Sequence, residues 1–127
     1  SLARSKAIMA RRNVRLCPSS NGTTCTTSGS WTGGWIMFVD NDGNGVPASS
    51  ELVQVQGAMD SRISLTTPSA FSEFIQFRPT GIVQGNAGTT GQFNLCSSTF
   101  HDYSRLVEIS VSGRVTTKQQ PDLCTSS

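Results

Sequence analysis

Three stretches in the C-terminal third of the chain decide its fold: FIQFRPTGIVQG at residues 74–85, GQFNLC at 91–96 and RLVEISVSGRVTT at 105–117. Apolar and polar side chains alternate along them with a period of two, as in an antiparallel sheet that buries one face. In the last stretch one face carries Leu106, Glu108 and Ser110, and the other carries Val107, Ile109 and Val111. The sequence therefore predicts consecutive antiparallel strands in this region.

Shorter apolar runs predict further strands earlier in the chain. The most apolar of them is WIMFV at residues 35–39. The full set of predicted strands covers residues 14–17, 35–39, 51–56, 62–65, 74–77, 92–96, 105–111 and 114–117. Residues 83–91 are rich in Gly, Asn and Thr, so we predict a mobile hairpin loop there.

The helical candidate is SLARSKAIMARR at residues 1–12. Leu2, Ile8 and Met9 recur at helical spacing and form its predicted apolar face, while the alanines between them allow close approach to a sheet. Asn13 is the predicted stop. Because the segment begins without a capping residue, we interpret it as the C-terminal part of a longer helix.

Length and composition limit the class of protein. A chain of 127 residues is predicted to be one domain, with an α+β fold in which the helix covers antiparallel sheet. Its net charge of +2 is too small to indicate a nucleic-acid partner by itself. The sequence contains no apolar run of about eighteen residues, so no membrane-spanning segment is predicted within it.

The four cysteines, Cys17, Cys25, Cys96 and Cys124, allow three pairings. Proximity in sequence favours Cys17 with Cys25 and Cys96 with Cys124, for which loop closure would contribute about 2.6 and about 3.6 kcal/mol. A zinc site is the alternative, although the CxxC spacing is absent and His101 is the single histidine of the chain. Disulfides would indicate an oxidising compartment.

The loop DNDGNG at residues 40–45, with Glu51 downstream, matches the calcium-loop pattern D-x-[DN]-x-[DN]-G-x5-E. Its oxygen ligands would come from Asp40, Asp42, Asn44 and Glu51 and from the carbonyl of residue 46. The flanking segments are predicted strands rather than helices, and Asp, Asn and Gly also favour ordinary turns. We therefore predict a turn without a metal, with calcium as the open alternative.

Catalytic patterns are weak. His101 and Asp102 could form a triad with one of the many serines, but neighbouring side chains point in different directions and there is no GxSxG elbow. No glycine loop lies between a strand and a helix to hold a phosphate. The sequence therefore predicts a protein that is not an enzyme and needs no cofactor.

Two tryptophans flank a glycine pair. Trp35 begins the apolar strand and is predicted to be core, whereas Trp31 is either core or an exposed anchor for a neighbouring subunit.

Five pieces of the chain, in order, resemble the minor pilins of the GspH/FimT family: LARSKAIMARRNVRLCPS (2–19), WTGGWIMFVDNDGNG (31–45), IQFRPTG (75–81), GQFNLC (91–96) and VEISVSGRV (107–115). The resemblance implies a type IV pilin-like head, most similar to the FimU branch of the family. It also implies an apolar helix upstream of Ser1, which anchors the protein in the bacterial inner membrane with its head in the periplasm.

As a function, the resemblance implies a non-enzymatic subunit that helps to initiate a type IV pilus and is then incorporated in the extracellular filament. Its implied partners are other minor pilins and the major pilin, through residues that cannot be assigned. One alternative is a GspH-like pseudopilin of type II secretion.

A second alternative is a FimT-like subunit that binds DNA for uptake through a GRxR motif. Here the motif is incomplete, because Gly113 and Arg114 are followed by Val115 and Thr116. Lys118 would share a face with Arg114, but two cations give little affinity for phosphate. Nucleic-acid binding is therefore not predicted.

Overall fold

The computed structural model describes residues 2–26, 30–98 and 104–119. Within these residues the chain forms one α-helix, α1, and nine strands, with three short 3-10 turns. α1 spans Leu2–Ala10, and the strands are β1 Asn13–Pro18, β2 Trp35–Asp40, β3 Leu52–Gln56, β4 Ile63–Thr66, β5 Ile75–Phe77, β6 Val83–Gly85, β7 Gly91–Ser97, β8 Ser104–Ile109 and β9 Val115–Lys118.

The strands form two antiparallel sheets. Five strands pair in the order β3-β2-β1-β5-β6, and four pair in the order β4-β7-β8-β9. β1 lies at the centre of the first sheet, where it pairs with β2 on one side and β5 on the other. The predicted α+β class, with the helix packed on antiparallel sheet, is confirmed.

One apolar core joins the helix and both sheets. Trp31 meets the ring of Phe93 edge-on at 5.9 Å between ring centroids, and Phe71 stacks parallel to Phe93 at 6.1 Å. The same core includes Ala7 from α1 and Val14 from β1. These contacts tie the second sheet, through Phe93, to the elements around the first.

The unbroken apolar run of β2 follows from burial on both faces. Met37 contributes to the main core, whereas Ile36 and Phe38 lie in a smaller cluster with Cys17 on the other side of the sheet. A strand covered on both faces has no solvent side, and its sequence therefore lacks the alternation seen in β7 and β8.

α1 ends two residues earlier than predicted. Its last residue is Ala10, and Arg11 adopts a left-handed conformation with φ of 54°. A non-glycine residue with this φ breaks the helical hydrogen-bonding pattern, so the chain can turn directly into β1. Asn13, the predicted stop, is already the first residue of that strand.

Two strand predictions need correction. Residues 83–85, predicted as part of a mobile loop, form β6 on the edge of the first sheet, where Val83 is fully buried. β8 was predicted to reach Val111 but ends at Ile109, because Ser110 to Gly113 turn the chain into β9. A three-residue strand with two polar or glycine positions carries too little periodicity to be recognised from sequence.

The predicted Cys17–Cys25 disulfide is present, with the two Cα atoms 5.6 Å apart. It closes the loop after β1, and both sulfurs take part in the smaller apolar cluster. The described residues include no free cysteine. Cys124 lies outside the described residues, so the pairing of Cys96 with Cys124 stays a prediction.

Candidate functional site

The outward side of α1 exposes large apolar side chains beside Ser5 and Lys6. Ala3 and Ala7 are buried against the sheet, whereas Leu2 is 53% exposed and Met9 is 83% exposed. The prediction that alanines allow close approach to the sheet is confirmed for Ala3 and Ala7, and α1 contacts β1, β2 and β5. The predicted apolar face of larger residues does not pack on the sheet. Leu2, Ser5, Lys6, Met9 and Ala10 line a shallow groove of about 330 Å³ on the outward side.

Ile8 is also exposed, at 41%, so none of the three large apolar residues of the helix is buried by the described parts of the chain. Because α1 buries its alanines against the sheet and exposes its larger apolar side chains, hydrophobic surface remains available for another molecule.

The loop after β2 collects three carboxylates. One oxygen each from Asp40, Asp42 and Glu51 lies within 4.8 Å of the other two. Asp40 and Glu51 are only 3% and 5% exposed, while Asp42 is exposed. The sequence pattern thus identified side chains that the fold does bring together.

Hydrogen bonds to backbone amides hold this loop in shape. Glu51 accepts one hydrogen bond from Asn41 N at 2.8 Å and another from Ala48 N at 3.0 Å, so its carboxylate connects the start of the loop to its end. Asp40 Oδ2 accepts a third from Gly45 N at 2.8 Å. Asn44, the remaining predicted ligand, uses its Oδ1 to accept a hydrogen bond from the amide of Val46 at 2.9 Å.

Arg15 of β1 lies under this loop, a contact that no sequence pattern predicts. Its guanidinium donates to Gln76 Oε1 at 2.8 Å and lies over the ring of Phe74, 3.9 Å from the centroid. Burial lowers the pKa of Arg15, and the negative charge of Asp40 partly opposes that shift. Gly45, with φ of 72°, passes so close that a Cβ would lie 3.0 Å from the guanidinium.

Arg114 and Lys118, considered for phosphate contact and not predicted to bind nucleic acid, do not form a free cationic pair. Lys118 lies 3.0 Å from Glu108, and its hydrogen bond lowers the pKa of that carboxyl. Arg114 is exposed and shares a polar groove with Arg4 of the helix. Arg4 also donates to the carbonyl of Ser112 at 3.2 Å, which fixes the helix to the turn before β9.

Trp31 is a core residue rather than an exposed anchor. It is buried, and its indole Nε1 donates to the carbonyl of Phe71 at 2.9 Å. Trp35 is partly buried and packs against the same core, as predicted. Buried indole groups need such an acceptor, which the 3-10 turn at Ser69–Phe71 supplies.

Three candidate residues lie outside the described residues. They are His101 and Asp102, which were considered for catalysis, and Cys124. The zinc alternative is wrong for Cys17 and Cys25, because their disulfide leaves no thiolate to bind a metal. Within the described ranges, no helix is long and apolar enough to cross a membrane.

Two crystal structures of the type IV minor pilin FimU from Pseudomonas aeruginosa strain PAO1 share this fold. The structure in space group P65 gives a TM-score of 0.65 at 19% identity, covering 95% of this chain and 84% of that one. The structure in space group P21 gives a TM-score of 0.60 at 22% identity, covering 95% and 80%.

No curated protein matches the chain significantly. The model of the family described as type II transport protein GspH matches residues 1–113, which is most of the 127 residues. The chain therefore belongs to the GspH family, and its fold is similar to that of the minor pilin FimU.

Proposed function

We propose that this protein is a non-enzymatic minor pilin, which helps to initiate a type IV pilus and becomes part of the filament. The observation that carries the proposal is the outward side of α1, where Leu2, Ile8 and Met9 are exposed while the alanines are buried. Covering such a surface with another apolar surface is favourable, because it removes apolar area from water. Family membership and the FimU-like fold support a filament subunit.

The proposed partners are other minor pilins and the major pilin. A filament subunit needs lateral contacts, and the apolar groove beside Met9 would supply one of them. We further propose that the full-length protein is anchored in the inner membrane by a helix preceding these residues, with its head in the periplasm. Extraction of the full-length protein from membranes by detergent, but not by alkaline carbonate, tests that anchoring.

The pilus proposal is tested by deleting the gene and complementing the strain with full-length variants. We expect deletion to reduce surface pili, and Met9→Glu to fail to restore them because the charge cannot be buried in the contact. Val111→Glu is the matched control, since Val111 is also exposed but lies in the turn after β8. Pili at wild-type number with Met9→Glu would overturn the proposed role of this face.

The same strains separate the alternatives. Loss of secreted enzymes from the medium with normal pili would favour a pseudopilin of type II secretion. DNA binding in a gel shift at low salt would favour an uptake role, which the Lys118–Glu108 ion pair argues against.

We also propose a second disulfide between Cys96 and Cys124. Peptide mapping of the unreduced protein should then yield one peptide pair that contains both residues. Alkylation of either thiol without prior reduction would contradict the pairing.

A further inference from the structure

The acidic loop has the dimensions of a cation site. Asp40 is the last residue of β2, Asp42 lies in the turn, and Glu51 ends the 3-10 turn before β3. Calcium binds oxygen at about 2.3–2.6 Å, so two oxygens on one ion are at most about 5 Å apart. One carboxylate oxygen from each of the three residues satisfies that limit, since all lie within 4.8 Å of one another.

A second observation points to a missing ligand. Asp40 is buried, and its Oδ1 accepts no hydrogen bond, although its Oδ2 is satisfied by Gly45 N. A buried carboxylate oxygen without a donor or a cation carries an uncompensated desolvation cost. An ion held by this carboxylate would remove that cost, whereas the turn itself uses only Oδ2, through the amide of Gly45.

The charge balance supports the same conclusion. Between described residues, the ion pairs are Arg62 with Asp60 and Lys118 with Glu108, so none of the three loop carboxylates is paired with a cationic side chain there. Arg15 interacts electrostatically with Asp40, but the guanidinium donates its hydrogen bonds to Gln76. Three carboxylates near one partly buried cation, Arg15, leave an excess of negative charge.

The donor set selects the type of metal. The cluster contains carboxylates without histidine or cysteine, which suits a hard cation rather than zinc or copper. Glu51 already accepts one backbone hydrogen bond on each oxygen, and each oxygen keeps a second lone pair for an ion. Irregular oxygen ligands on a loop suit calcium, whereas magnesium requires near-ideal octahedral geometry.

We propose that Asp40, Asp42 and Glu51 bind one calcium ion between β2 and β3. This proposal favours the calcium alternative over the ordinary turn that the sequence predicts, because the unsatisfied Oδ1 of Asp40 is visible only in the structure. With three carboxylates on a partly exposed loop, we expect a dissociation constant of about 0.1–1 mM, typical of extracellular calcium modules. The bound ion would hold the loop in the conformation that Glu51 already closes.

Isothermal titration calorimetry on the chelator-treated protein is the direct test. We expect one calcium ion per chain, and weaker binding of magnesium. Because a ligand that binds the folded state alone raises its stability, the melting temperature should rise by about 5–10 °C at 10 mM calcium. Absence of both heat and a melting shift at 10 mM calcium would overturn the proposal.

Asp42→Asn is the discriminating variant, since Asp42 is exposed and removing its charge should not lower the calcium-free melting temperature. We expect at least tenfold weaker calcium binding. Glu73→Gln, which removes an exposed carboxylate elsewhere, should bind as the wild type does. Equal binding by wild type and Asp42→Asn would place the ion outside this loop and refute the assignment.

Amide NMR spectra locate the ion independently of the variants. Calcium should shift the amide signals of Gly43, Gly45 and Glu51 in the wild-type protein. Shifts confined to other parts of the chain would also contradict the site.

Discussion

At the scale of single residues, Gly113 shows how closely the turn before β9 is packed. It has φ of 84°, and a Cβ there would lie 2.1 Å from the carbonyl oxygen of Gly81. Gly113→Ala must therefore combine left-handed strain with a backbone shift, which we expect to cost on the order of 3 kcal/mol of unfolding free energy. Urea denaturation measures this loss.

Gly43→Ala is the matched control. Gly43 also has a positive φ, of 72°, but a Cβ there would meet no atom within 4 Å. In calcium-free buffer we expect a loss of about 1 kcal/mol, from backbone strain alone. Equal losses for the two variants would show that the approach of Gly113 to Gly81 has no energetic effect.

Glu108 provides a prediction about pH. Its hydrogen bond from Lys118 lowers its pKa in the folded state below the value of about 4.3 in the unfolded chain. The interaction therefore stabilises the fold above that pH and is lost as the pH falls through the lowered pKa. We expect Glu108→Gln to melt below the wild type at pH 7, and the difference to shrink towards pH 3. A difference that stayed constant with pH would contradict this origin.

Sequence alone predicted the residues of the acidic loop but not their environment. The D-x-[DN]-x-[DN]-G-x5-E pattern located Asp40 and Glu51, because ligand spacing along a loop is local information. The position of Arg15 near the loop and the burial of Asp40 depend on the pairing of β1 with β2, in which Asn13 lies opposite Asp40. A single sequence contains no direct record of such long-range contacts.

At the scale of elements, α1 packs through its smallest side chains. Ala7 is fully buried, whereas Ala10 is exposed at the end of the same helix. We expect Ala7→Leu to overfill the contact between helix and sheet and to cost about 1–3 kcal/mol of unfolding free energy. Ala10→Leu adds the same atoms on the outside and should change stability by less than about 0.5 kcal/mol, as measured by thermal melting.

If Ala7→Leu proved as stable as Ala10→Leu, the helix would not lie tightly against β1 and β2. Helical periodicity could not predict which side of α1 packs on the sheet, since both sides of the helix carry apolar residues. The alternating strands were easier to predict because β7 and β8 each follow one pattern over six or more residues. Val83–Gly85 was too short for any pattern to emerge.

At the scale of the whole molecule, the two sheets and the helix share one apolar core. Elements that share a core lose their contacts together, so we expect one cooperative unfolding transition. Tryptophan fluorescence, which reports on Trp31 and Trp35 in that core, and far-ultraviolet circular dichroism should give the same midpoint in urea.

Phe93→Leu should lower both midpoints equally, at a cost of about 1–2 kcal/mol, because Phe93 links the second sheet to Trp31 and Phe71.

Val55→Thr is the control for this substitution, since Val55 is more than half exposed on the edge strand β3 and should leave both midpoints unchanged. Two separate transitions, or a Phe93→Leu effect seen by fluorescence alone, would mean that the sheets unfold independently and that residues 1–127 are not one domain. Coincident transitions would instead mean that the described elements unfold as one cooperative unit. A filament contact on the outward face of α1 would then stabilise the whole head, because any ligand of the folded state stabilises the cooperative unit to which it binds.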